Sequence, residues 1–127
     1  MNAPPVAPVT KQLTQQQINA YAAAADDYNP IHIDEAFAAT SPFGGTIAHG
    51  MLVLATISEM MAASLGEVWL TSGRLKVRFK APAKTTDTVT ASATALESPD
   101  RQRYAVECKN QDGELLISGT AEVAADG

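Results

Sequence analysis

Ile47-Ala48-His49-Gly50-Met51-Leu52-Val53-Leu54-Ala55-Thr56-Ile57-Ser58-Glu59-Met60-Met61-Ala62-Ala63-Ser64-Leu65 reads as a helix with apolar side chains on nearly every face. A helix apolar all round is expected to be buried all round. His49, Ser58, Glu59 and Ser64 interrupt the run, which makes it a poor membrane span. Gly66 is a natural stop. The chain has 127 residues, the size of one domain. A long buried helix in so small a unit needs other elements wrapped around it.

The residues after Gly66 supply them. Leu75, Val77 and Phe79 alternate with Arg74, Lys76, Arg78 and Lys80, the period-two pattern of a half-buried strand. Val89, Ala91, Ala93 and Ala95 alternate with Thr90, Ser92 and Thr94; Tyr104, Val106 and Cys108 alternate with Arg103, Glu107 and Lys109. Leu115 and Ile117 lead into Ala121 and Val123. Ser98-Pro99-Asp100 and Asn110-Gln111-Asp112-Gly113 are turn signals between these runs. The C-terminal half is therefore expected to be an antiparallel meander.

Upstream, Thr14 and Gln17 form a capping box, with Leu13 and Ile18 placed for the hydrophobic staple around it. Helix is predicted from about Gln15 to Ala25. Pro30 forces Asn29 out of the helical region, so Asp26-Asp27-Tyr28-Asn29-Pro30-Ile31-His32 is predicted as a loop, and Asp34 can cap a short helix over 35–39. Ser41-Pro42-Phe43-Gly44-Gly45-Thr46 is a second loop of turn residues. Pro4, Pro5 and Pro8 make residues 1–12 a loose arm. The start has neither a basic nor an apolar signal region, so a cytoplasmic protein of a single domain over 1–127 is expected. The element order is α+β.

The net charge of -5 argues against a nucleic-acid binder, which needs a basic excess to neutralise phosphates. One cysteine, Cys108, and two histidines, His32 and His49, leave too few ligands for a cysteine-rich metal site or a disulfide framework. No Gly-rich phosphate motif follows a strand. No metal and no redox cofactor is implied.

The densest group of reactive side chains is Asp27, Asn29 and His32. An Asp and a His that share one water can take a proton from it and deliver one to a neighbouring carbon, work worth about 10²–10⁴-fold in rate. Histidine titrates near neutrality, which suits both directions. The start of the apolar helix, at Ala48-His49-Gly50-Met51, offers free backbone N–H groups for a developing oxyanion, and Gly50 lets a carbonyl approach closely. The plainer account is that Asp-x-Asn-Pro is a turn whose side chains cap backbone groups, and that His49 packs at the helix start and bonds a neighbouring loop.

Asp27-Tyr28-Asn29-Pro30-Ile31-His32-Ile33-Asp34 followed by Ala36-Phe37-Ala38 resembles the signature of the (R)-specific enoyl-CoA hydratases of the MaoC-like dehydratase family. Ile47-Ala48-His49-Gly50-Met51-Leu52 resembles the family's second motif at the expected distance. The likeness runs from about Tyr21 to Met61 and more weakly through Lys76-Val77-Arg78-Phe79-Lys80-Ala81-Pro82. The resemblance implies the hotdog fold, a curved antiparallel sheet wrapped around a long buried central helix. It implies (R)-specific hydration of a trans-2-enoyl-CoA, reversibly, by Asp27 and His32 around a water. Asn29 would support the pair, Gly50 would offer its amide to the thioester oxygen, and Ser58 would help hold the site. A homodimer with acyl-CoA near the subunit interface is also implied, the coenzyme A being part of the substrate. One departure stands out: many members carry Gly where this chain has Asp26.

Arg74, Lys76, Arg78 and Lys80 read first as a solvated strand face or a charge-protected edge, and secondly as contacts to coenzyme A phosphates. His49 and Met51 are weaker substrate-binding candidates; Met51, Met60 and Met61 are most simply core. Three other functions fit parts of the pattern: a 3-hydroxyacyl dehydratase acting on acyl carrier protein, a hotdog thioesterase using Glu59, and an inactive binding subunit. The complete first motif argues against the last two.

Overall fold

The computed structural model describes residues 3–124. The elements follow as β1 (Val9–Gln12), α1 (Gln15–Ala25), α2 (Pro30–Ile33), α3 (Glu35–Ala39), α4 (Gly50–Leu65), α5 (Glu67–Ser72), β2 (Arg74–Phe79), β3 (Thr88–Leu96), β4 (Arg101–Lys109) and β5 (Leu115–Ala124). The strands form one antiparallel sheet in the order β1-β3-β4-β5-β2. Helix α4 lies against β1, β3 and β4, and α5 against β5. The core between them is made by Val53, Ile57, Met60 and Met61 of α4 and by the inward residues Val89, Ala91, Tyr104, Val106, Cys108, Ile117, Ala121 and Val123. The strand residues among these are ones that the period-two patterns pick out; Ala95, on the same predicted face of β3, is exposed.

The capping box forms as expected. The Thr14 hydroxyl accepts from the Gln17 N–H at 3.1 Å, and both staple residues, Leu13 and Ile18, are buried. The Asp34 carboxylate accepts from the Phe37 N–H and starts α3. Asn29 caps the one-turn helix α2, with Pro30 in its first turn, inside the segment predicted as a loop.

Several expectations need correction. Helix α4 begins at Gly50, not Ile47. Ile47 instead pairs with Lys84 in an isolated β-bridge, because its backbone is drawn into contacts with the two segments that flank the helix start. Nor is α4 covered on all sides: Met51, Ala55, Glu59 and Ala63 form an exposed stripe at helical spacing. Among the described residues the sheet has five strands. The meander holds for β3, β4 and β5, but β2 pairs with β5 at the far edge, since the connection after Phe79 is too long for a hairpin. The arm is not loose throughout. Val9–Gln12 pair with β3, Ala3, Val6 and Val9 pack on the core, and the buried Tyr104 hydroxyl donates to the Pro4 carbonyl at 2.6 Å. Residues 1–2 of that arm lie outside the described residues. Among the described residues, no helix is long and apolar enough to cross a membrane.

The β4–β5 register shifts between Cys108 and Lys109. This bulge leaves the Leu116 carbonyl free to accept from the N–H groups of Lys80 (2.8 Å) and Ala81 (3.3 Å). The segment after β2 is thereby held beside the start of α4.

Candidate active site

Helix α1 ends at Asp26, the only non-glycine residue with positive φ among the described residues (φ 55°, ψ 43°). The chain reverses there, and Asp27 leaves the helix with its N–H still bonded to the Ala22 carbonyl at 3.0 Å. The Asp27 carboxylate accepts from the Asn29 N–H at 3.3 Å. The Asn29 side chain in turn accepts from the Ile31 N–H at 3.1 Å. These two local turns wind α2 and bring His32 back towards Asp27. Asn29 thus caps the helical turn that carries His32.

His32 Nδ1 meets the Ile47 carbonyl at 2.8 Å. A carbonyl only accepts, so Nδ1 carries the proton and Nε2 is the free, basic nitrogen. The Ile47 N–H donates back to the Ile31 carbonyl at 3.1 Å. Behind His32, Gln15 donates to its carbonyl at 2.8 Å and accepts from Thr46 at 2.7 Å, with Thr46 also bonded to Thr85. Gln15 therefore ties α1, the His32 turn and the approach to α4 together.

His49 is the N-cap residue of α4 and is 3% exposed. Its ring stacks on that of His32, with centroids 3.9 Å apart and planes at 25°, and it also meets the Tyr21 ring. One side-chain donor atom each from Asp27, His32 and His49 lies within 4.8 Å of the others. That grouping suits proton transfer better than metal binding. Stacked imidazoles direct their in-plane lone pairs along nearly parallel planes, whereas a metal needs them to converge on one point.

His32 and Gly50 line a cleft of about 350 Å³, with Val53, Phe79, Lys80 and the 81–83 segment on its other sides. No side chain caps the N-terminus of α4, so its first N–H groups face this region unshielded by an Asp, Ser or Thr. Gly50 sits under the Phe79 ring: a Cβ there would lie 3.1 Å from the ring edge. The absence of a side chain keeps the helix start open.

Asp27, His32, Asn29, His49 and Gly50 are thus brought together. The other candidates are not. Ser58 lies roughly 12 Å further along α4 at the usual rise, where its hydroxyl accepts from the Trp69 indole at 3.1 Å. Met51 is 57% exposed, neither core nor part of the cleft wall. Arg74, Lys76 and Arg78 point to solvent from the edge strand β2. Arg74 joins Arg101 and Arg103 around Glu122; Arg74 and Lys76 line a different depression. Of that basic run only Lys80 reaches the cleft. The Glu59 carboxylate pairs with Lys11 of β1 at 2.7 Å, away from the cleft. Gln15, Ile47 and Phe79 were missed as site residues. Gln15 carries no signal beyond a helix start, and the contribution of Ile47 is its carbonyl, which any residue would supply.

Comparison with known proteins identifies the family and the fold. The MaoC like domain model matches residues 1–114. The chain is 34% identical over 121 residues to an (R)-specific enoyl-CoA hydratase from Aeromonas caviae, covering 91% of this chain and 88% of that protein. It is 35% identical over 115 residues to 3-hydroxyacyl-thioester dehydratase Z of Mycobacterium tuberculosis, covering 87% and 72%. Among solved structures, the unliganded R-hydratase PhaJ1 from Pseudomonas aeruginosa superposes with a TM-score of 0.85 at 32% identity, over 98% of this chain and 82% of that one. The A. caviae (R)-hydratase superposes with a TM-score of 0.82 at 30% identity, over 98% and 96%. With both motifs folded into one site and a family match spanning nearly the whole chain, this protein belongs to the MaoC-like dehydratase family and has its hotdog fold.

Proposed function

We propose that the protein is an (R)-specific enoyl-CoA hydratase, a hydro-lyase that adds water to a trans-2-enoyl-CoA and removes it again in reverse. What supports this is that His32, whose Nδ1 is bonded to the Ile47 carbonyl, lines a cleft shared with the uncapped start of α4, with the Asp27 carboxylate close by. A water held between Asp27 and His32 loses one proton to the pair as its oxygen bonds to C3. The pair returns a proton to C2, and the C2–C3 double bond becomes single. Negative charge that builds on the thioester oxygen is met by the N–H groups at Gly50. The reaction so written needs no metal or redox cofactor. We propose that Lys80, which lines the cleft, meets a phosphate of coenzyme A. We further propose a cytoplasmic homodimer.

A reading with the acyl group on a carrier protein keeps the chemistry and changes only the handle. The basic edge strand β2 favours it, as does the thioester dehydratase named above. Thioester hydrolysis at Glu59 is disfavoured by the ion pair that this carboxylate makes with Lys11.

The test is hydration of crotonyl-CoA, followed as loss of the conjugated-thioester absorbance, with the product offered to an (R)-3-hydroxyacyl-CoA-specific dehydrogenase. Asp27→Asn and His32→Gln are each expected to lose about 10²–10⁴-fold in kcat. A folded wild-type protein inert towards both CoA-borne and carrier-borne enoyl groups would refute the proposal.

A further inference from the structure

The reaction scheme above uses Asp27 and His32 and leaves His49 without a part, yet His49 contacts both. Its Nε2 lies 3.0 Å from the main-chain carbonyl of Asp27, and its ring covers that of His32. Among the described residues, the other hydrogen bonds of Asp27 are local, to Ala22 and Asn29. The bond from His49 is the one that ties the Asp27 end of the loop to the start of α4. The His32 end is tied by Ile47. Without His49 the loop would be tied to the start of α4 at its His32 end only, its Asp27 end being held to α1 alone.

The bond also determines a tautomer. The Asp27 carbonyl only accepts, so His49 carries its proton on Nε2. Its Nδ1 is buried with no hydrogen-bond partner, so a proton there would find no acceptor. His32 has the opposite arrangement, with the proton on Nδ1 and Nε2 free. Each ring is therefore pinned through one nitrogen to a backbone carbonyl, and the stack removes the remaining freedom of the His32 ring to turn.

We infer that His49 is a positioning residue for the acid/base pair: as the Nε2–H tautomer, it fixes the backbone of Asp27 through its N–H and the ring plane of His32 through its face. This rests on the hydratase reading for its kinetic part, but the tautomer can be read without any substrate. A misplacement of about 1 Å in a reacting group costs on the order of 10²-fold in rate, and substrate contacts elsewhere are untouched. The expected signature is thus a fall in kcat with little change in KM.

Two variants separate the two contacts. His49→Phe keeps a ring and loses the donor. His49→Gln keeps a donor near the position of Nε2 and loses the ring. His49→Phe is expected to lower kcat by on the order of 10²-fold with KM within about twofold, and His49→Gln to recover at least about tenfold of that. The chain has only two histidines, so long-range ¹H–¹⁵N correlation spectra at mildly alkaline pH show both rings, and one variant assigns them. Nε2–H for His49 and Nδ1–H for His32 are expected in the wild type. His49 protonated on Nδ1, or a folded His49→Phe with wild-type kcat, overturns the inference. Should His49→Phe fail to fold, the wild-type tautomers decide alone. A wild type with the expected tautomers but no hydratase activity would instead sink the functional proposal and leave the tautomer assignment standing.

Discussion

Asp26 occupies a backbone conformation that suits glycine. The left-handed region costs an L-residue roughly 1–2 kcal/mol, less for Asp and Asn, whose short side chains bond locally. Asp26→Gly is therefore expected to be neutral to stabilising, by up to about 1 kcal/mol, with the hydration rate kept. Urea unfolding checks this; a variant less stable than wild type would show that the Asp26 side chain contributes something the φ angle does not reveal. Gly50 is the opposite case. A methyl at this position would press on the Phe79 ring, 3.1 Å away, and crowd the helix start. Gly50→Ala is expected to fold, since φ there is not positive, but to lower kcat/KM by about tenfold or more through loss of thioester-oxygen contact. Steady-state kinetics on crotonyl-CoA would show it.

Two elements carry consequences of their own. Strand β2 is held to β5 at Gly119, which faces Val77 across the pair. A Cβ at Gly119 would lie 2.1 Å from the Lys76 carbonyl oxygen, and backbone cannot move aside as a flexible side chain can. Gly119→Ala is expected to cost about 1–3 kcal/mol, read as a lower urea midpoint, and to loosen Phe79 and Lys80, which follow on the same strand. Strand β4 contributes a pH effect. Burial pushes the Cys108 thiol up from its usual 9.0 to about 11 and raises the Tyr104 phenol. The folded protein therefore keeps protons that the unfolded chain releases. The Cys108 contribution to stability is complete below about pH 9.0 and is lost as the pH rises towards about 11; that of Tyr104 is lost in the same direction, above its ordinary range. Unfolding free energy is expected to fall across that window, and Cys108→Ala to flatten part of the slope even if it lowers stability throughout.

A chain of this size buries a modest share of its apolar surface by itself. Met51 and Phe79, both more than half exposed, flank Gly50 in sequence and in space, so apolar surface stands open beside the candidate site. Light scattering is expected to give twice the chain mass. Met51→Asp is expected to shift the protein towards monomer and to reduce activity with it. A monomeric wild type with full activity would show that the site is complete in one chain.

Much of this was legible without coordinates. The α+β order, the inward faces of β3, β4 and β5, the capping box at Thr14 and the cap at Asp34 all follow from short-range rules, because strand alternation and helix capping act over a few residues. The grouping of Asp27, Asn29 and His32 was legible too, being local in the chain. What required the tertiary structure depends on distant partners. The position of β2 beside β5 rests on pairing between segments far apart in the chain, with a close backbone approach at Gly119. The arm is held by Tyr104 and β3, contacts that its prolines do not announce. Ser58 has a long-range partner in Trp69, and the exposed stripe on α4 exists because a five-stranded sheet covers only part of the helix. His49 illustrates the division. That it would pack at the helix start and bond a loop could be read from the sequence; that the loop atom is the Asp27 carbonyl, and the ring beneath is His32, was decided only when folding brought residues far apart in the chain within hydrogen-bond reach.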